Sequence, residues 1–191
     1  MPDLDLSFLP FENERIDELG EAFSELINTA GDNLESLIVF GSAASAESFD
    51  PELSDINLAI VLRRDDRDVL EAIGPSITSM IPRFRISPMV ATSDELATSA
   101  DVFPVKFLDI KERHKVVFGS DPFVSMNIRT VHLRLRCEQE LKNMSLKLRR
   151  MLVARAATSP VRLEMIWNFL PAFTNVLRTM LTMTGATPSR D

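Results

Sequence analysis

The chain's pattern predicts an α/β (α+β) fold, a small mixed sheet flanked by helices and followed by a C-terminal helical bundle. Three observations carry that prediction. Short apolar runs bounded by turn residues, Leu34 to Phe40 and Asp55 to Leu62, have the length and β-branched content of buried strands. Segments with helical apolar spacing alternate with them, which is the order of an α/β layer architecture. From about residue 128 the pattern is helical only. The boundary falls in Ser120-Asp121-Pro122-Phe123, giving an α/β domain over 1–122 and a helical domain over 123–191.

In chain order, residues 11–30 place Ile16, Leu19, Phe23, Leu26 and Ile27 on one helix face, with Gly31 as the stop. Leu34 to Phe40 is a strand ending at Gly41, and 42–53 is a small-residue loop or short helix. Asp55 to Leu62 is the second strand. Asp65-Asp66 cap a helix over 66–80 that Pro82 is expected to stop. Phe84 to Ala91 is a third strand, and Pro88 within it marks an edge or a bulge. Thr92-Ser93-Asp94-Glu95 caps a short helix, another follows Pro104, and Lys115 to Phe118 is a last strand closed by Gly119. Residues 128–157 and 161–184 read as two long helices, the second bent at Pro171.

Composition narrows the class. Hydrophobic content of 45% and charged content of 26% are those of a globular protein. No repeat, signal peptide or apolar run of membrane-spanning length is present. A single cysteine, Cys137, rules out an intrachain disulfide and a Cys-based zinc site, and suits a cytoplasmic protein. The net charge of −7 is unevenly spread: residues 1–109 hold 22 acids against 7 Lys and Arg, residues 110–191 hold 6 against 14. Opposite blocks attract each other or meet a partner. No region is basic enough by itself to argue nucleic-acid binding.

The chemistry-bearing residues cluster at the first strand pair. Alternate residues of a strand share a face, so Asp55 and Asn57 project together beside the Gly41-Ser42 turn. Gly41 permits the backbone angles by which amides approach an anion, and Ser42 offers a hydroxyl. Phosphoryl transfer needs such a turn for the leaving phosphates and carboxylates for Mg²⁺.

Gly41-Ser42 and Ser54-Asp55-Ile56-Asn57-Leu58, with the strand Ala59-Ile60-Val61-Leu62 after it, resemble the polymerase-β-type nucleotidyltransferase superfamily. Within it the likeness is to the kanamycin nucleotidyltransferase-like and minimal nucleotidyltransferase branch. The runs Phe103 to Ile110 and Val116 to Pro122 are similar to uncharacterised bacterial members of that branch. The resemblance covers nearly the whole chain. It implies an NTP donor, a hydroxyl acceptor and Mg²⁺, with Gly41 and Ser42 at the triphosphate and Asp55 and Asn57 in the catalytic, metal-binding positions. It also implies an appended helical bundle.

Departures from the family pattern are specific. Asn57 stands where a second carboxylate is expected, and an amide brings an oxygen without a charge. On the third strand Ser87 stands where the proton-accepting carboxylate is expected. Ala43-Ala44-Ser45-Ala46-Glu47 brings no arginine to the turn and adds an acid. Three readings stay open: a working or weakened transferase, nucleotide or metal binding without turnover, and an inherited scaffold used as an interaction or regulatory module, such as a toxin-neutralising partner. Asp109 is a spare carboxylate. His114 and His132 lack metal-ligand spacing and are read as surface or interface residues. Trp167 and the methionines of the second half read as core or interface. The apolar helices over 128–184 are expected to pack on the α/β unit or on another chain as a homodimer.

Overall fold

The computed structural model describes residues 4–45, 49–51, 54–154 and 159–186, and within these leaves out the side chains of 154, 159–168 and 171. Ala46 and Glu47 of the turn, and the side chains of Met165 and Trp167, therefore lie outside the described set. The helices are α1 (Asn13–Ala30), α2 (Arg67–Phe84), α3 (Ser93–Ser99), α4 (Pro104–Glu112), α5 (Thr130–Ala154) and α6 (Ser159–Met183). The strands are β1 (Leu34–Phe40), β2 (Ile56–Leu62), β3 (Ile86–Thr92) and β4 (His114–Gly119).

These strands form one mixed sheet in the order β3-β2-β1-β4. β1 runs antiparallel to β2 and β4, while β2 and β3 are parallel and joined through α2, since a parallel pair needs a crossover. On one sheet face Leu37, Val39, Ile56, Leu58, Ile60 and Leu62 share a core with Leu19, Phe23 and Leu26 of α1 and Ile73, Met80 and Phe84 of α2. The alternate residues Ile38, Ala59 and Val61 are buried too, so both faces of the central strands are covered. That is why β1 and β2 read as continuous apolar runs instead of alternating.

Local chemistry accounts for the element ends. Asp66 caps α2 by accepting the Val69 N–H at 3.4 Å. Thr92 and Glu95 form a reciprocal capping box at α3: the Thr92 N–H donates to Glu95 Oε2 at 2.9 Å, and the Glu95 N–H donates to Thr92 Oγ1 at 3.2 Å. Pro88 lies on the edge strand β3, as its missing N–H requires. Pro82 does not stop α2, which runs two residues further to Phe84. The ring removes one hydrogen bond, but Met80 and Phe84 on either side are both fully buried, and that burial holds the last turn helical.

The chain packs as two compact units, Met1–Ser99 with Asp109–Met126, and Ala100–Leu108 with Asn127–Asp191. The first contains the sheet. The second contains the hairpin of α5 and α6, where Lys147 Nζ lies 5.2 Å from the Phe169 ring centre and Leu133, Cys137, Val176 and Thr179 are buried. Among the described residues no helix is long and apolar enough to cross a membrane.

Candidate functional site

The sheet's directions gather the sequence-marked residues at one end. The C-terminal end of β1 lies beside the starts of β2 and β4, and the start of β2 lies beside the start of β3. Phe40 pairs with Asn57 on one side and His114 on the other, and Asn57 pairs with Ser87. Gly41-Ser42, Asp55, Asn57 and Ser87 are therefore neighbours at this end of the sheet.

Gly41 turns the chain with φ of 76°, a left-handed angle that suits glycine. A Cβ here would lie 3.1 Å from Asn57 Nδ2, so the amide of Asn57 sits directly over the turn. The Gly41 N–H donates to the Arg113 carbonyl at 2.9 Å, and the Ser45 N–H donates to the Ser42 carbonyl at 3.0 Å. The Gly41 amide is thus committed within the fold and does not face an incoming phosphate. Ser42 and Asn57 are half-buried; Ser87 is exposed.

Asp55 is paired. Arg85 Nε donates to its Oδ1 at 3.1 Å, and Arg85 Nη2 lies 2.9 Å from the same oxygen. Both side chains are exposed. Arg85 reaches this place by an unusual backbone: it follows α2 with φ 56° and ψ 43°, and is the one non-glycine with positive φ among the described residues. Its carbonyl accepts the Ile56 N–H at 2.9 Å, which ties it to the start of β2. Sequence reading missed this residue. The available signal was Asp55-Ile56 and Arg85-Ile86, opposite charges preceding two strands that a crossover helix places in parallel.

Among the described residues the donors for a Mg²⁺ ion at this end are thus the Asp55 carboxylate, already under a guanidinium, the Asn57 amide and the hydroxyls of Ser42 and Ser87. Mg²⁺ takes carboxylates and waters in near-octahedral array, and a cation would have to displace Arg85 to reach Asp55 Oδ1. Among the described residues no three His, Cys, Asp or Glu side chains gather closely enough to hold a metal. The described residues as arranged do not fit the ion.

A second arginine stands at the other side of the turn. Arg113, whose carbonyl holds Gly41, pairs with Asp109, Nε lying 3.0 Å from Oδ1. The spare carboxylate of the sequence reading is therefore engaged one helical turn away from that arginine. His114 also departs from its reading as a surface or interface residue, for its side chain is only 11% exposed. Its Nδ1 lies 2.8 Å from the Ile110 carbonyl and its Nε2 2.8 Å from Asp121 Oδ2, with Phe123 edge-on at 5.5 Å. Burial pushes the Asp121 carboxyl up, but hydrogen bonds from His114 and from the Phe123 and Val124 amides outweigh it and hold the group below the ordinary range. This cluster pins the segment after β4 against His114 at the start of that strand. Cys137 is buried as expected of a small apolar residue, and burial, helped by Glu140, raises its thiol.

No protein-family model matches the chain, and no curated protein matches it by sequence. Solved structures do. Spectinomycin adenyltransferase AAD(9) from Enterococcus faecialis, crystallised with ATP and spectinomycin, is 14% identical with a TM-score of 0.51, over 94% of this chain and 79% of that one. A toxin–antitoxin structure with AMP-PNP is 12% identical, TM-score 0.37, over 69% and 97%. The Shewanella oneidensis HEPN toxin, tri-AMPylated and bound to its MNT antitoxin, is 10% identical, TM-score 0.35, over 71% and 98%. The adenyltransferase likeness extends over nearly the whole chain, so the fold is nucleotidyltransferase-like.

Proposed function

We propose that this chain is a nucleotidyltransferase-fold protein that has lost Mg²⁺-dependent transfer and works as a non-catalytic binding module. The observation that carries the reading is the Arg85 guanidinium on Asp55 Oδ1. Transfer of a nucleoside monophosphate needs charge stabilisation where the phosphates part and a base for the attacking hydroxyl. The AAD(9) structure was obtained with ATP, and the corresponding donor end here would be Gly41, Ser42, Asp55 and Asn57. Among the described residues at that end Asp55 is neutralised from within, its neighbours Asn57 and Ser87 carry no charge, and the Gly41 amide is spent on Arg113. Each missing group removes several kcal/mol of transition-state stabilisation, on the order of what single catalytic donors supply.

Calorimetric titration of ATP with and without Mg²⁺, on the wild type and on Asp55→Ala, tests this. The expected result is no Mg²⁺-dependent heat at millimolar ATP in either protein, together with no transfer of labelled AMP. A Mg²⁺-dependent heat that Asp55→Ala abolishes would overturn the reading and restore Asp55 as a metal ligand.

A further inference from the structure

The two sides of α5 differ in character. Leu133 and Cys137 are buried, and Met144 and Met151, spaced by sevens from Cys137, are half-buried. The opposite side is a row of Leu135, Gln139, Lys142, Leu146, Arg149 and Val153, spaced alternately four and three residues apart. All six are exposed, Leu135 at 56%, Leu146 at 62% and Val153 at 88%. That alternation keeps a row on one side of a helix, as in a coiled-coil seam, and this one runs about 27 Å. Single exposed leucines are ordinary; three large apolar residues in register with two cations form a contact surface.

The charge on this side is uncompensated. Glu138 and Glu140 are taken by Arg134 and Arg136, at 3.1 and 2.6 Å. From Leu141 to Ala154 the helix holds no acid, and Lys142, Arg149 and Arg150 make no ion pair among the described residues. The row therefore calls for carboxylates at Lys142 and Arg149, and for apolar side chains at Leu135, Leu146 and Val153.

Those two demands together choose the cover. A helix that lies on a bilayer keeps its cations on one face and its apolar residues on the other. Here they alternate in one row, so inserting Leu146 would carry Lys142 and Arg149 into the acyl boundary. A nucleic acid would meet the cations and leave three large apolar residues against phosphate and water. A second copy on the same row would set like charges together. The outward side of α1 in a second copy, with Glu14, Asp17, Glu21 and Glu25 exposed, has acids but no exposed apolar residue to set against the leucines. A partner helix whose own seam alternates acidic and apolar residues meets both demands, and its repeat matches that of α5, whereas one face of a strand repeats about every 6.6 Å and drifts out of step.

We propose that the outward row of α5 docks an acidic, amphipathic helix of a partner protein, carboxylates on Lys142 and Arg149 and apolar side chains on Leu135, Leu146 and Val153. This names a partner for the binding role proposed above but rests on α5 alone. Calorimetry with ATP reads the sheet end and the titration below reads α5, so either can fail without the other.

The probe is a fluorescein-labelled synthetic helix of about three heptads with Leu and Glu alternating along one a/d row, titrated by anisotropy with the full chain. Saturable binding below about 100 µM is expected, weakened about tenfold or more in Lys142→Glu with Arg149→Glu. Arg64→Glu with Arg67→Glu, the same change of net charge on exposed residues elsewhere, is expected to leave binding unchanged. The same peptide with Lys in place of Glu is expected to bind the Lys142→Glu, Arg149→Glu variant and not the wild type, a rescue that an unfolded variant could not give; should circular dichroism show that variant unfolded, Lys142→Gln with Arg149→Gln replaces it and is expected to lose the acidic peptide. No binding by the wild type, or binding that the α5 substitutions leave unchanged, would overturn the proposal. So would tighter binding, lost in the same variant, to phosphatidylcholine vesicles with about 30% phosphatidylserine or to a polyuridine oligomer, which would assign the row to a lipid surface or to RNA.

Discussion

If the Arg85–Asp55 pair stands where a metal cradle would be, rebuilding the carboxylates should create a cation site that the wild type lacks. The variant is Asn57→Asp, Ser87→Asp and Arg85→Ala. Asn57 and Ser87 are register partners on parallel strands, which sets their Cα atoms about 4.8 Å apart, and Asp55 lies two residues earlier on the same face. Two unit charges about 5 Å apart repel by about 3 kcal/mol at the effective dielectric of a protein surface, less at an exposed and salt-screened position. Without metal the variant should therefore be less stable than wild type. A Mg²⁺ ion at 100 times its dissociation constant adds about 2.7 kcal/mol to the folded state. At about 2–4 °C per kcal/mol for a chain of this length, the melting temperature should rise by about 5–10 °C on adding Mg²⁺. The wild type should not respond. Differential scanning calorimetry with Mg²⁺ and with chelator reads both. A wild-type shift of that size, lost in Asp55→Ala, would refute the reasoning, and so would a folded variant that ignores Mg²⁺.

Two other expectations concern the frame around the site. A Cβ at Gly119, where φ is 81°, would lie 1.9 Å from the Glu35 carbonyl oxygen, so Gly119→Ala must part β4 from β1; a loss of more than about 3 kcal/mol in urea denaturation is expected, and a change below about 1 kcal/mol would show that the strand end yields freely. Asp121 has a lowered folded-state pKa, so its contribution to stability is present above the unfolded value of about 3.9 and is lost as pH falls through the folded value; Asp121→Asn should flatten that part of the acid-denaturation profile, and an unchanged profile would contradict the His114 contact.

What the sequence made legible was local. β1 and β2 are apolar runs closed by Gly41 and opened by Asp55, Pro88 announces an edge, and Thr92 with Glu95 announces a helix start; each signal lies within a few residues of its effect. Pro82 misled because its local rule was outweighed by the burial of Met80 and Phe84, which depends on the sheet beneath them. Arg85 and His114 were hidden for a related reason. Arg85 meets Asp55 across 30 residues, and the meeting exists only once β2 and β3 lie parallel and in register. His114 looks like a polar residue at a strand start until the Asp121 turn folds back over it. The candidate site was thus legible as a place in the fold, while its charge balance was set by pairing.

The backbone at Arg85 bears on which of its roles matters. A residue that only ends a helix in the left-handed region is best served by glycine, which adopts that conformation without steric penalty. An L-residue there costs roughly 1–2 kcal/mol. Arg85 carries that strain, and its carbonyl would accept the Ile56 N–H equally well if the side chain were a hydrogen. What the arginine adds beyond glycine is the guanidinium, and its two contacts with Asp55 Oδ1 lie on an exposed surface where an ion pair contributes little stability, about 0–1 kcal/mol. At Asp55 the effect of the guanidinium is electrostatic: it sets a positive charge against that carboxylate at the end of the sheet where β2 and β3 begin.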